Sequence, residues 1–243
     1  MNSITDKTCI ITFAYDCKRP SNHPTSHRRF DLALSRLRAS LLAMDCSEDF
    51  IAWDSGYPPG CPEHKDAPFA FKPYCFLEAK KLGYRYVLWL DSSVYATSDL
   101  KPIFDRIRNL GYLFFHEFHS IGEYCSDAAL ATLGIEREES CKMPSICANV
   151  MGLDLENERS VQFLDLWKYY ASDGVTFKGA KWSGVRGFPK TVSQDDRVKG
   201  HRHDQTAASV IALKLGMNQW LPKKAYKDFF FNDRGYTYLS KIK

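Results

Sequence analysis

A doubly wound α/β fold, with a mainly parallel central sheet flanked by helices, is what this sequence predicts. Three observations point to it. Short apolar runs rich in β-favouring residues alternate with stretches of helical periodicity. One run, Tyr86-Val-Leu-Trp-Leu90, is apolar on both alternating faces, the pattern of a strand covered by helices above and below. That run stops abruptly at Asp91-Ser92-Ser93, at the carboxyl end of a strand, where open α/β sheets bind their ligands.

The elements follow in order. Cys9-Ile-Ile-Thr-Phe-Ala14 reads as the first, central strand, ending where Tyr15 and Asp16 turn the chain polar. Phe30, Leu34, Leu37 and Leu41 fall on one helical face, so a helix covering that strand comes next. Phe50-Ile-Ala-Trp53 is a second short strand, and Gly56 to Pro62 is a loop. Pro73 suits the first turn of a helix and Gly83 its end, with Cys75, Phe76, Ala79 and Leu82 as the apolar stripe between. After the strand Tyr86–Leu90, Leu100, Ile103, Phe104 and Ile107 line another helix, with Ser98 or Asp99 as its cap. Tyr112 to Phe115 and Ile146 to Leu153 read as later strands, and Phe163, Leu166, Trp167 and Tyr170 as a further amphipathic helix. The last helix opens at Asp204, keeps Ala207, Ala208, Ile211 and Leu215 on one side and closes at Gly216.

Periodicity fails between Asp173 and His203. That segment is rich in glycine and carries Lys178, Lys181, Arg186, Lys190, Arg197, Lys199 and Arg202. Structureless loops longer than about 15 residues are either disordered or functional, and the cations favour a flexible lid over an active site. The whole chain, 1–243, reads as a single domain.

Composition narrows the function. A surplus of 33 Lys plus Arg over 29 Asp plus Glu is too mild for a nucleic-acid protein but suits small anionic ligands. No stretch approaches the roughly 18 uninterrupted apolar residues of a membrane span, and Met1 to Lys7 is polar, so the expectation is a cytoplasmic protein. Eight cysteines stand without a C-x-x-C pair, which argues against a zinc knuckle or a redox motif and for reduced thiols.

Asp91 either caps its own turn or offers a carboxylate to a ligand. The order of Lys72 on a helix, the strand Tyr86–Leu90, Asp91-Ser92-Ser93, a strand with Asn149 and Gly152, and His203-Asp204-Gln205 opening a helix resembles GT-A nucleotide-sugar glycosyltransferases of the glycogenin and lipopolysaccharide galactosyltransferase type. The resemblance spans Cys9 to about Leu215 and rests on short motifs in a consistent order. It implies a GT-A-like, Rossmann-type fold. It also implies a hexosyltransferase that moves a sugar from a nucleotide-diphosphate donor to a hydroxyl of a glycan or other acceptor. Under it Lys72, Asp91, Ser92, Ser93, Asn149, Gly152 and Gln205 bind the donor, while Asp204 carries the catalysis. Tyr15, with Asp16, is placed to hold a base and its ribose, and Arg29 to reach a phosphate. Trp182 is placed to stack on an acceptor sugar.

The resemblance further implies a divalent metal, Mn²⁺ or Mg²⁺, held by Asp91. The family's second motif aspartate is here Ser93, a poorer ligand, which puts metal dependence in question. His203 and His201 are either additional ligands or two exposed basic residues. His116 and His119 sit in a strand-like stretch and read as structural. Lys72 otherwise reads as a solvated surface charge, Asp204 as a helix N-cap and Gly152 as a bulge in a strand. Two other functions stay open. A non-catalytic nucleotide-sugar or carbohydrate-binding module would explain Ser93. A sugar nucleotidyltransferase usually carries a glycine-rich loop after its first strand, and Phe13 to Pro20 contains no glycine.

Overall fold

In the computed structural model of the protein, residues 6–15 and 30–233 are described. The expectations for Asp16 and Arg29 lie outside them. The chain begins with β1 (Thr8–Phe13), α1 (Phe30–Ala43), β2 (Asp49–Trp53), α2 (Phe71–Lys81), β3 (Tyr86–Leu90), β4 (Val94–Ala96), α3 (Lys101–Leu110), β5 (Tyr112–Leu113) and β6 (His116–Ser120). A 3₁₀ turn at Gly122–Tyr124 leads to α4 (Asp127–Leu133), α5 (Arg137–Ser140), β7 (Pro144–Ile146), β8 (Val150–Asp154) and α6 (Glu158–Ser172). After a long irregular segment come α7 (His203–Lys214), α8 (Lys223–Phe229) and β9 (Phe230–Asn232).

The central sheet has the order β2-β1-β3-β8-β5. β1 runs parallel to both β2 and β3, and β8 runs antiparallel to β3 and β5. Four strands therefore share one direction and β8 alone is reversed. Alternate side chains divide the core in two. Ile11, Trp89 and Met151 face α2, α6 and α7, whereas Ile10, Leu88 and Val150 face α1 and α3. All five residues of β3 are buried, as a strand covered on both faces requires.

Two differences from the sequence expectation have local causes. The run Ile146 to Leu153 is two strands, because Cys147–Asn149 leaves the β6–β7 ribbon before β8 enters the main sheet. The short helices α4 and α5 close a third apolar cluster of Ile121, Cys125, Leu130, Leu133 and Val210, and are too brief to show a period.

Gly152 lies mid-strand, paired with Leu88 and Leu113, rather than at the ligand edge. A Cβ there would stand 2.4 Å from Ile107 Cδ1 and 3.0 Å from Leu113 Cβ. The glycine lets α3 approach the sheet, which corrects the expectation that it contacts a donor. Gly152→Ala is expected to cost about 1–3 kcal/mol by overpacking, read from urea unfolding midpoints, without altering ligand affinity in the folded fraction.

Candidate active site

The carboxyl edge of the parallel strands collects the chemistry. β3 ends at Asp91, where the chain turns with Val94 N donating to the Asp91 oxygen. The reversed β8 enters beside it, and Asp91 N donates to the Asn149 oxygen at 2.8 Å. α2 and α7 both point their first turns at this edge, bringing in Lys72 and Asp204.

Lys72 is the hub. Its side chain is 3% exposed, and its Nζ lies 3.2 Å from Asp91 Oδ1 and 2.8 Å from Asp204 Oδ2. The ammonium also donates to the Ala148 oxygen at 2.8 Å. It is therefore a buried counter-ion and not a solvated surface charge. Trp89 Nε1 donates to Asp91 Oδ1 at 2.8 Å, which leaves Asp91, more exposed than Asp204, with its other oxygen to offer. Asp204 is buried, and its main-chain oxygen accepts from Trp167 Nε1 at 3.1 Å. No side-chain cap closes the start of α7, whose N-cap position is Arg202. The Asp204 carboxylate turns inward to the ammonium.

One cation between two carboxylates leaves a surplus negative charge in a poorly solvated place. Burial pulls the Lys72 ammonium down, but Asp204 and Asp91 together hold it above its ordinary range. Burial raises the Asp204 carboxyl against the pull of Lys72, with Asp91 adding to the rise. Both shifts favour keeping protons in the cluster.

An aromatic corner lies at the end of β1. Phe13 stacks on Phe71 at 4.0 Å between centroids, and Tyr15 meets Tyr57 edge-on at 5.7 Å. Phe69 takes a left-handed backbone conformation, φ 66°, with its ring 5.6 Å from both His203 and the Lys72 ammonium. On the other flank, Arg202 lies over Tyr124 at 4.3 Å and over Trp182 at 4.5 Å, and Arg186 covers Trp182 at 4.3 Å. Two guanidinium groups thus lie over the Trp182 ring. Tyr124 in turn packs on His119 at 4.4 Å, and His119 reaches Gln205. This chain of contacts links Trp182 to the first turn of α7.

His201 and His203 are neither exposed nor arranged as ligands. His201 is fully buried, accepts from Ser126 N at Nδ1 (3.2 Å) and donates from Nε2 to the Thr176 oxygen (2.8 Å). His203, also left-handed at φ 44°, donates from Nε2 to the Gly179 oxygen at 2.9 Å. The two rings fasten residues 176–179 of the irregular segment to α7. Gly200 completes the fastening, since a Cβ there would stand 2.0 Å from the Lys181 oxygen.

Burial drives His201 down to about 4 and His203 down to about 3. The unfolded chain, with imidazoles near 6.5, takes protons first as pH falls. Stability is therefore complete above about pH 6.5 and declines below it, until the folded imidazoles themselves titrate near 4 and 3. The expected slope is about 1.4 kcal/mol per pH unit and per imidazole. Urea midpoints between pH 7 and 4.5 will show it, and His201→Gln will flatten it.

The expected metal set does not assemble. Lys72 and Trp89 already occupy Asp91 Oδ1, and Gly179 takes His203 Nε2. Among the described residues no group of three or more His, Cys, Asp or Glu gathers as metal ligands. Asp91, Ser93 and His203 thus do not form the oxygen-rich shell a divalent ion needs. The seven described cysteines form no disulfide, and no helix among the described residues is long and apolar enough to cross a membrane.

Of the residues the sequence singled out, Lys72 lies within ion-pair distance of Asp91 and Asp204, Ser92 and Ser93 follow Asp91 in its turn beside Asn149, and Gln205 follows Asp204 in α7 with its side chain on His119 and Ser145. Tyr15 lies in the aromatic corner. Trp89, Phe69 and Ser145 escaped notice, and His119 read as structural. Trp89 read as a core residue, and only the Asp two positions on hints at its hydrogen bond. The other three become neighbours of the site only through long-range folding.

No family model and no curated protein matches the chain. Solved structures resemble it at low identity. A glycosyltransferase involved in glycosylation of the major capsid of PBCV-1 shares 14% identity, covering 92% of each chain at a TM-score of 0.46. The bifunctional glycosyltransferase WbbM shares 10%, covering 89% of this chain and 38% of its own, at 0.48. A Bacillus anthracis protein described as a glucose-1-phosphate thymidylyltransferase shares 8%, covering 89% and 86%, at 0.42. Roles for individual residues rest on the geometry above.

Proposed function

We propose that this chain is a glycosyltransferase, moving a sugar from a nucleotide-diphosphate sugar to a hydroxyl of a glycan or other acceptor. The observation that carries the reading is the Lys72 ammonium held between Asp91 and Asp204 at the carboxyl edge of the sheet. An aromatic corner closes the end of β1, and two guanidinium groups lie over Trp182 at the entry to α7.

Each part has a chemical use. Tyr15 and Tyr57, partly exposed beside the buried Phe13–Phe71 stack, offer ring faces to a base. The open oxygen of Asp91, with Ser92, Ser93 and Asn149 beside it, suits ribose or sugar hydroxyls. In the reaction the bond from the anomeric carbon to the diphosphate oxygen breaks, and a bond to the acceptor oxygen forms as its hydroxyl proton passes to the departing diphosphate. Positive charge grows on the sugar as the diphosphate leaves, and a fixed carboxylate facing it stabilises that state. Asp204 has that role, and Lys72 holds it in place. Trp182 supplies a face for the acceptor sugar. Arg186 and Arg202, stacked on it, carry charge toward the same flank. The reading includes a single domain and a reducing, cytoplasmic setting.

Thermal shift with a panel of UDP-glucose, UDP-galactose, UDP-N-acetylglucosamine and GDP-mannose tests the reading. A ligand at about 100 times its Kd adds about 2.7 kcal/mol of stability. The donor that stabilises is then assayed for hydrolysis and transfer, with Mn²⁺ and with chelator, which reads directly if an ion joins Asp91. Stabilisation without turnover in either condition assigns the chain to a binding module instead. Stabilisation by no nucleotide sugar removes the proposal.

A further inference from the structure

Gln205, in the first turn of α7 beside Asp204, places its side-chain nitrogen 3.3 Å from His119 Nε2 and 3.2 Å from Ser145 Oγ. Partners further out determine which end of the amide must face them. His119 Nδ1 lies 3.1 Å from the Ser120 oxygen, which can only accept, so Nδ1 bears the proton and Nε2 is a bare acceptor. An acceptor at that place requires the Gln205 N–H.

Ser145 imposes the same orientation independently. Ser209 Oγ gives its proton to the Gln205 main-chain oxygen at 2.6 Å and accepts from Ile146 N at 3.0 Å. The Ser145 proton goes to the remaining lone pair of Ser209 Oγ at 3.3 Å or to the Ile146 oxygen at 3.5 Å, and either choice leaves Ser145 Oγ an acceptor toward Gln205. Both amide protons of Gln205 are then committed. Its Oε1 takes no hydrogen bond among the described residues, and the residue is half-buried, next to Asp204.

We propose that His119 and Ser145 are positioning residues that lock Gln205 with Oε1 toward the bound sugar, so that the sugar position it serves must carry a hydroxyl that donates. The substrate half of this rests on the glycosyltransferase reading, whereas the geometry does not. Glu117 from the same strand, Glu123 from the 3₁₀ turn and Arg202 from the entry to α7 are the charged groups around His119. Glu123 is itself paired with Lys199. Burial outweighs the Ser120 hydrogen bond and the two carboxylates and holds the imidazole below its usual range, so the neutral ring and the locked amide prevail at pH 7.

Nitrogen-15 NMR of the ligand-free protein tests the lock. The expected spectrum shows neutral His119 with its proton on Nδ1, and a proton on Nε2 at pH 7 would overturn the proposal. Acidification turns Nε2 into a donor, which the amide nitrogen cannot face, so the Gln205 side-chain resonances must move with the His119 titration. The resonances are assigned by their loss in Gln205→Glu. Resonances that ignore that titration would also overturn it. Ser145→Ala should shift the same amide signals while leaving the His119 tautomer unchanged.

A turnover arm uses whichever probe of the nucleotide-sugar panel reacts, with fluorine replacing each sugar hydroxyl in turn. Fluorine only accepts, so one position should lose about tenfold in rate, the equivalent of one hydrogen bond of about 1.4 kcal/mol. That hydroxyl-to-fluorine ratio should fall toward one in His119→Met and return in His119→Gln, whose amide oxygen can accept. A merely structural His119 would lower both rates equally and leave the ratio intact, which sinks the proposal. If none of the probes turns over, the enzymatic reading fails while the tautomer and amide measurements still decide the lock.

Discussion

Lys72→Met will destabilise the fold by about 3–5 kcal/mol, because it strands the buried Asp204 carboxylate beside Asp91 with no cation between them. Methionine keeps most of the volume, so the loss reads as charge rather than cavity. The sign is tested by adding Asp204→Asn to the lysine variant, which removes the stranded charge and should restore at least about half of the loss. Urea denaturation of the two variants at pH 7 measures both. A Lys72→Met protein as stable as the wild type would mean that the carboxylates are already protonated in the folded chain. Donor affinity should fall in the single variant, since Asp91 would lose the contact that aims it.

Asp204→Asn alone should behave in the opposite way. The Lys72–Asp91 pair survives with matched charge, so stability stays near that of the wild type and donor-induced thermal shift persists. Turnover is expected to fall by about 10²–10⁴-fold, the range for a group that acts on charge or a proton in the transition state. Loss of kcat with donor affinity intact places the effect in the chemical step. A parallel loss of affinity would make Asp204 a ground-state binding residue instead. Together the two variants separate the ammonium's structural work from the carboxylate's chemical work.

The architecture was readable where a period or an abrupt polarity change marks it. Tyr86–Leu90 is buried at every position, and Leu34, Leu37 and Leu41 face the core, as their spacing indicates. Asp91 stood out because a carboxylate ends an apolar strand. Other features depend on partners that no local pattern reveals. A lysine on an apolar helix shows nothing of the two carboxylates that permit its burial, and those lie on other elements. His201 and His203 read as metal ligands or exposed basic residues because their acceptors are main-chain oxygens of Thr176 and Gly179, in a stretch without periodicity. Gly152 suggested ligand approach, and the body filling its Cβ position is instead Ile107. Only three-dimensional packing distinguishes those two uses of a glycine.

The chain order of the cluster has a consequence for assembly. Lys72 and Asp91 precede the exposed turn at Arg186–Pro189, and Asp204 and Gln205 follow it. Severed in that turn, the leading fragment would keep a cation with one acid, and the trailing fragment an orphaned acid with its amide neighbour. Neither piece would contain a complete set of reacting groups. Reconstitution from the two halves would therefore report, through the return of activity, on their docking alone.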